Sequence, residues 1–313
     1  MYEVLVKLFL GIVLLLISTK ILVKLSGKLS SSLKISPLFI GITVVALVTS
    51  LPELVVSLIA SLRNDIGLAV GNIVGSNIVN ILMVFPVGII LGKLKIGTIK
   101  TQRSIIILLT ITFLFVILHL IPIGNIPLGL FFIALAFLFI FTEYIWAISG
   151  RTHEDLTRLN HLKKEKFCIG EFIKLILSIV GIIVGGYLVV ISTENLSLIT
   201  GYSTTVLGLS LTAIASSFPE LLTTIFSQEE NQAKLTIGDI IGSNIYNLLF
   251  IGGVISLISP ISNIQNTSLI FLVITTILFA IIVKHFKGAK VPVWVGLLIL
   301  PLFIFYLYFL SIK

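Results

Sequence analysis

Ten apolar runs, each close to the length of a bilayer-spanning helix, follow one another along the 313 residues of this chain. A helix crosses the hydrocarbon core in about 20 residues. The runs lie at about 3–24, 36–62, 66–91, 104–122, 126–148, 171–193, 203–227, 236–258, 267–285 and 291–311. Only 11% of the residues are charged, against roughly 25% in a soluble domain, so there is too little polar surface to face water. The pattern predicts an all-α membrane protein with ten transmembrane helices. The first run starts near Val4 and leads into Lys20, Lys24 and Lys28 with no small-residue cleavage pattern. It reads as a retained span and not as a signal peptide.

The cations are unevenly placed. Loops after the odd-numbered spans hold Lys24, Lys28, Lys34, Lys93, Lys95, Lys100, Arg103, Lys234, Lys284, Lys287 and Lys290. They also include the hydrophilic stretch 149–166, with Arg151, Arg158, Lys163, Lys164 and Lys166 among Glu154, Asp155 and Glu165. The opposite side has little beyond Lys7, Arg63 and Lys313. By the positive-inside rule the first set is cytoplasmic and both termini lie outside. The net charge of +8 is therefore a membrane signature and not a nucleic-acid footprint. The long loop divides the chain into five-span units at 1–148 and 171–313, joined by a linker at 149–170. The single cysteine, Cys168, cannot form an internal disulfide.

The two units carry one motif twice. Gly41–Asn80 reads GITVVALVTSLPELVVSLIASLRNDIGLAVGNIVGSNIVN, and Gly208–Asn247 reads GLSLTAIASSFPELLTTIFSQEENQAKLTIGDIIGSNIYN. They align without a gap at an offset of 167 residues. Pro52/Pro219, Glu53/Glu220, Gly75/Gly242, Ser76/Ser243, Asn77/Asn244 and Asn80/Asn247 are identical. Five spans per unit force opposite orientations on the copies. Such inverted repeats build secondary transporters with a midplane site between the halves.

The motif is chemically specific. Glu53, Glu143, Glu220 and Asp239 are the acidic residues inside the ends of the apolar spans, where a charge costs several kcal/mol and usually serves function. Glu53 and Glu220 have no Lys or Arg at matching depth in their own spans. Protonated glutamates bridging helices would not explain the duplication. Pro52 and Pro219 cannot donate to the carbonyls of Val48 and Ala215, and a freed carbonyl in a membrane must find a partner or line a cavity. Thr49 and Ser50, and Ser216 and Ser217, flank these breaks. Asn72, Ser76 and Asn80 recur every four residues on one helical face, as do Asp239, Ser243 and Asn247. Carboxylate, amide, hydroxyl and carbonyl oxygens without imidazole or thiolate suit hard cations such as Ca²⁺, Mg²⁺ or Na⁺. Two ionised glutamates would repel each other, and a divalent cation or several monovalent ones would remove the conflict.

TSLPE at 49–53, SSFPE at 216–220 and the runs at 71–80 and 238–247 resemble the alpha repeats of the sodium/calcium exchanger family, within the cation/calcium exchanger superfamily. The resemblance is to a prokaryotic-type member and covers nearly the whole chain. It implies Glu53 and Glu220 as principal Ca²⁺ ligands, aided by Thr49 and Ser216. It implies Na⁺ binding by Ser50, Ser76, Ser217, Ser243 and carbonyls near Ala46 and Ala213, with Asn80 and Asn247 bounding the centre. The first and sixth spans would slide across the remaining core. Three departures stand out: Val48 and Ala215 replace a usual glycine, Asn247 stands where many members carry Asp, and Asp239 replaces an Asn. Asp239 either returns a carboxylate to the pathway or caps a helix start.

The expected function is exchange of Ca²⁺ for Na⁺ by alternating access, with proton-coupled divalent exchange as the alternative and a cation channel behind it. The expected partners are the lipid bilayer and the transported Ca²⁺ and Na⁺, with no cofactor and no nucleic acid. No nucleophile–base pair or His-rich metal motif points to an enzyme. His119, His153, His161 and His285 sit near span ends or in loops.

Overall fold

A computed structural model of the chain describes residues 2–92, 94–96, 99–121, 124–149, 167–197, 206, 208–259 and 266–311. The charged stretch 150–166, including His153 and His161, lies outside the described residues.

In the first half, α1 (Tyr2–Leu33) is followed by α2 (Pro37–Ile40), α3 (Ala46–Thr49) and α4 (Leu51–Leu62). Then come α5 (Ile66–Val79), α6 (Phe85–Ile90), α7 (Ile99–Leu120) and α8 (Asn125–Ser149). The second half has α9 (Ile169–Ser197), α10 (Ala213–Ser216), α11 (Phe218–Glu229) and α12 (Ala233–Tyr246). It ends with α13 (Gly252–Ile258), α14 (Asn266–His285) and α15 (Val293–Ser311). Nine helical stretches among the described residues are long and apolar enough to cross a membrane, and the bent pair Leu209–Ser216 and Phe218–Glu229 makes a tenth span. These follow the expected order. Exposed Leu10, Ile17, Leu177, Leu297 and Ile304 are what a lipid-facing surface presents.

Among the described residues four segments are wound as π-helix: Gly41–Val45, Asn80–Val84, Gly208–Thr212 and Asn247–Ile251. They are two pairs at the same 167-residue offset. One extra residue per turn widens a helix locally, and such bulges concentrate at functional sites. Here two lead into α3 and α10, just ahead of the glutamate helices, and two begin at Asn80 and Asn247.

The first departure from the expected spans is α1. It runs to Leu33 and not to about residue 24. At 1.5 Å per residue its 32 residues reach about 48 Å, beyond the roughly 30 Å hydrocarbon core. Lys20, Lys24 and Lys28 stay helical because long cationic side chains carry their charge outward while their stems lie along the helix. Lys28 pairs with Glu171 on α9, and Gly11 and Gly185 bring the two backbones close.

Two apolar cores result. The larger joins α5–α8 to α12–α15. The smaller is built on α1 and α9, with Val48, Val56, Ala215 and Leu222 from the broken helices. The long pair α1/α9 shares this smaller core with the broken helices and with Ile40 and Leu235, and α1 also packs along α11.

Candidate functional site

Each break has the same cause and the same shape. Ser50 has φ −81° and ψ 3°, and Ser217 has φ −79° and ψ 10°. Both lie in the sparsely populated bridge region. The proline two residues on cannot complete the helical ladder. The chain therefore restarts a helix with Pro52 or Pro219 near its beginning, and the second break bends by 43°. Glu53 and Glu220 fall in the first turns of the new helices, fully buried.

Packing across the repeat is reciprocal. Helix α5 lies against Gly208–Thr212 and α10, while α12 lies against Gly41–Val45 and α3. Glycines permit this closeness. A Cβ on Gly75 would stand 2.7 Å from Ala213 Cβ and 2.9 Å from the Leu209 carbonyl oxygen. A Cβ on Gly242 would stand 2.6 Å from Ala46 Cβ and closer still to the Ile42 carbonyl oxygen.

Two mirror-related hydrogen-bond networks follow, each drawing on both halves. In one, Ser217 Oγ donates to Glu53 Oε1 at 3.2 Å. Ser216 Oγ lies 3.1 Å from Asn72 Oδ1, 3.2 Å from Ser76 Oγ and 3.3 Å from the Ala213 carbonyl. In the other, Ser50 Oγ donates to Glu220 Oε1 at 3.4 Å. Thr49 Oγ1 lies 3.1 Å from Asp239 Oδ1, 3.4 Å from Ser243 Oγ and 3.3 Å from the Ala46 carbonyl. Eleven of the thirteen expected site residues are joined in these networks. The other two, Asn80 and Asn247, are fully buried, and neither side chain has a hydrogen-bond partner among the described residues.

Glu53 Oε2, Glu220 Oε2 and Asp239 Oδ2 are buried and unpartnered in the same way. No Lys or Arg forms an ion pair with these carboxylates among the described residues. Buried anionic oxygens without a basic partner are costly, and a cation satisfies them. No group of three or more His, Cys, Asp or Glu side chains among the described residues could hold a metal ion. The donor set therefore rests on two glutamates with hydroxyl, amide and carbonyl oxygens, which suits a hard cation.

The matching family model is that of the sodium/calcium exchanger proteins, over residues 4–148 and 171–312. The chain belongs to the sodium/calcium exchanger family. Similar relatives include the sodium/calcium exchanger MaX1 of Methanosarcina acetivorans, 27% identical with 96% of each chain covered. The inner membrane protein YrbG of Escherichia coli is 30% identical, over 81% of this chain and 79% of the relative. Among solved structures, the sodium-calcium exchanger NCX_Mj soaked with Na⁺ and Sr²⁺ superposes with a TM-score of 0.81 at 25% identity, covering 97% of both chains. A Ca²⁺ soak of the same exchanger gives 0.77 at 26% identity, again with 97% of both chains covered. Membership fixes this protein as a multi-pass membrane exchanger of the transporter type.

Two expectations about acidic residues are sharpened. Helix α12 starts after Gln232, so Asp239 lies in its second turn or beyond, facing Thr49, and caps nothing. Glu143 stands apart from the site. It accepts from Ser104 Oγ at 3.0 Å and pairs with Arg103 Nη2 at 3.5 Å, and the Arg103 guanidinium lies 3.3 Å over the Trp146 ring. Replacing Glu143 with Gln strands a half-buried guanidinium, so the thermal midpoint should fall by the equivalent of about 1 kcal/mol. Ion exchange should be unchanged, as paired melting and uptake assays on E143Q would check.

Sequence reasoning missed a polar stripe on α11. Thr223, Thr224 and Gln228 are buried without partners among the described residues. The first half has Val56 and Ser61 opposite Thr223 and Gln228. That difference between the copies was a usable signal.

Proposed function

We propose that this protein exchanges Ca²⁺ for Na⁺ by alternating access, with Glu53 and Glu220 as the principal ligands of the divalent ion. The observation that carries the reading is the crossed arrangement of the two networks. Each glutamate is held through one oxygen by the serine of the opposite break, which leaves its second oxygen free and buried. Ca²⁺ takes six to eight oxygens and tolerates mixed carboxylate, carbonyl and hydroxyl shells. Thr49 and Ser216 add oxygens to that shell. Na⁺ uses Ser50, Ser76, Ser217, Ser243 and the carbonyls near Ala46 and Ala213 in the same space, and Asn80 and Asn247 bound it.

Alternating access is assigned to α1 and α9. They pack chiefly on each other, and the smaller apolar core they share with the broken helices is distinct from that of the larger bundle, so the pair can shift against it. The positive-inside rule sets the linker at 149–170 in the cytoplasm, between the units 1–148 and 171–313, with both termini outside.

The deciding experiment is uptake of radiolabelled Ca²⁺ into proteoliposomes under an imposed Na⁺ gradient and, separately, an imposed pH gradient. Outward Na⁺ should drive accumulation and a pH gradient alone should not. Uptake that follows pH and ignores Na⁺ would establish proton coupling instead. Uptake without any counter-ion would remove exchange altogether.

A further inference from the structure

The two networks follow one plan and differ most where Asn72 meets its counterpart. In the first half, Asn72 uses its oxygen to accept from Ser216 and its amide nitrogen to donate twice. Asn72 Nδ2 lies 3.2 Å from the Glu53 carbonyl oxygen and 3.0 Å from Ser57 Oγ. Ser57 Oγ passes its own hydrogen to the Ala69 carbonyl at 3.2 Å. Every member of that branch is satisfied.

The second half has Asp239 in place of Asn72. Its Oδ1 accepts from Thr49, the counterpart of Ser216, so the carboxyl group is oriented like the amide. By the repeat, its Oδ2 corresponds to the amide nitrogen of Asn72. The counterparts of Glu53 and Ser57 are Glu220 and Thr224, and α11 packs on α12 as α4 packs on α5. Where the first half sets an N–H donor among oxygens, the second sets an oxygen among oxygens. Both Asp239 Oδ2 and Thr224 Oγ1 are fully buried and lack a partner among the described residues.

Charge adds an independent argument. Glu53, Glu220 and Asp239 carry three negative charges when ionised, and a divalent ion balances two. Asp239 does not complete a three-carboxylate group with the glutamates, since none exists among the described residues. An unbalanced carboxylate deep in a membrane protein is expensive.

We infer that Asp239 Oδ2, the Glu220 carbonyl oxygen and Thr224 Oγ1 form a separate subsite for an alkali cation, filled while the divalent ion is bound. The inference rests on the exchanger reading above. Oxygen-only ligands and a single carboxylate match a hard monovalent ion. The loaded form then carries no excess charge, and a monovalent ion accompanies Ca²⁺ in this protein.

Double-label equilibrium binding on the full-length purified chain tests this. Radiolabelled Ca²⁺ is held at saturation, and either radiolabelled Na⁺ or radiolabelled Rb⁺ (standing for K⁺) is titrated against it in N-methyl-D-glucamine buffer. Wild type should bind about one alkali ion per Ca²⁺, and the two arms tell which ion is preferred. In Asp239→Asn that ratio should fall to background. In Thr224→Val the half-saturating alkali concentration should rise roughly tenfold, the effect of losing one ligand hydrogen-bonding group. No alkali ion bound beside Ca²⁺ in wild type overturns the inference. An unchanged ratio in Asp239→Asn overturns it too. So does loss of Ca²⁺ itself from that variant, because Asp239 would then ligate the divalent ion. Absence of Ca²⁺ from wild type, read in the same measurement, removes the exchanger reading and this inference with it.

Discussion

Glu53→Gln and Glu220→Gln should each cut Na⁺-driven Ca²⁺ uptake by at least about a hundredfold. The magnitude follows from what a buried charge partner is worth. Removing one member of a desolvated, hydrogen-bonded charge pair costs about 2–5 kcal/mol, and 2.7 kcal/mol is already a factor of one hundred. Glutamine keeps the length of the side chain and can still accept from Ser217 or Ser50 through its amide oxygen. What it replaces is the second oxygen, which is buried and unpartnered in both glutamates. A neutral NH₂ there repels a cation where the carboxylate attracted one. The folded protein should tolerate the change well, because an uncompensated buried anion is removed. Thermal midpoints measured without divalent ions should therefore hold or rise while uptake disappears. Uptake retained in either variant would show that the crossed glutamates are not the divalent site.

Much of this was legible in the sequence because a bilayer leaves a chain few options. Backbone groups in lipid must be satisfied within helices or closed barrels, so ten apolar runs already meant ten helices. The duplicated Pro-Glu pair located both breaks, since proline removes a specific donor. The exact end of α1 was hidden, because hydropathy falls at Lys20 and Lys24 while the helix continues to Leu33. The π-helical turns were hidden for a different reason. A single extra residue shifts the helical period too little to register in an all-apolar run such as Gly41–Val45.

Asp239 shows where spacing stops and geometry begins. Aspartate is a strong helix-capping residue, and nothing in the local sequence separates that role from a buried one. Only the observed start of α12 after Gln232 places it inside the helix. The hydroxyl partners were equally out of reach. Ser50 precedes Glu53 by three residues, yet its partner is Glu220. Long-range pairing of this kind depends on how two inverted halves dock, which a one-dimensional pattern does not encode.

That docking can be attacked without touching a single ligand side chain. Gly242→Ala adds one methyl group at a point where α12 rides directly on the Ala46 turn. The added Cβ would lie 2.6 Å from Ala46 Cβ, a distance no stable pair of methyl carbons keeps, and closer to the Ile42 carbonyl oxygen. The obstruction is backbone and a Cβ, so no rotamer change relieves it. Helix α3 or α12 must move by several tenths of an ångström or more. Overpacking of this type costs about 1–3 kcal/mol, and here the displaced atoms include the Ala46 carbonyl and Thr49 Oγ1. Ser243 follows the substituted residue and meets both of those atoms. The expected result is a lower thermal midpoint together with at least about tenfold weaker Ca²⁺ uptake, since 1.4 kcal/mol of lost binding is a factor of ten. Gly75→Ala makes the mirror test, with Ala213 and Leu209 as the obstructing atoms. Equal loss in both variants would tie exchange to the reciprocal packing itself. Full activity in either, confirmed by uptake at matched protein density, would mean that the two halves do not approach as closely in the working protein.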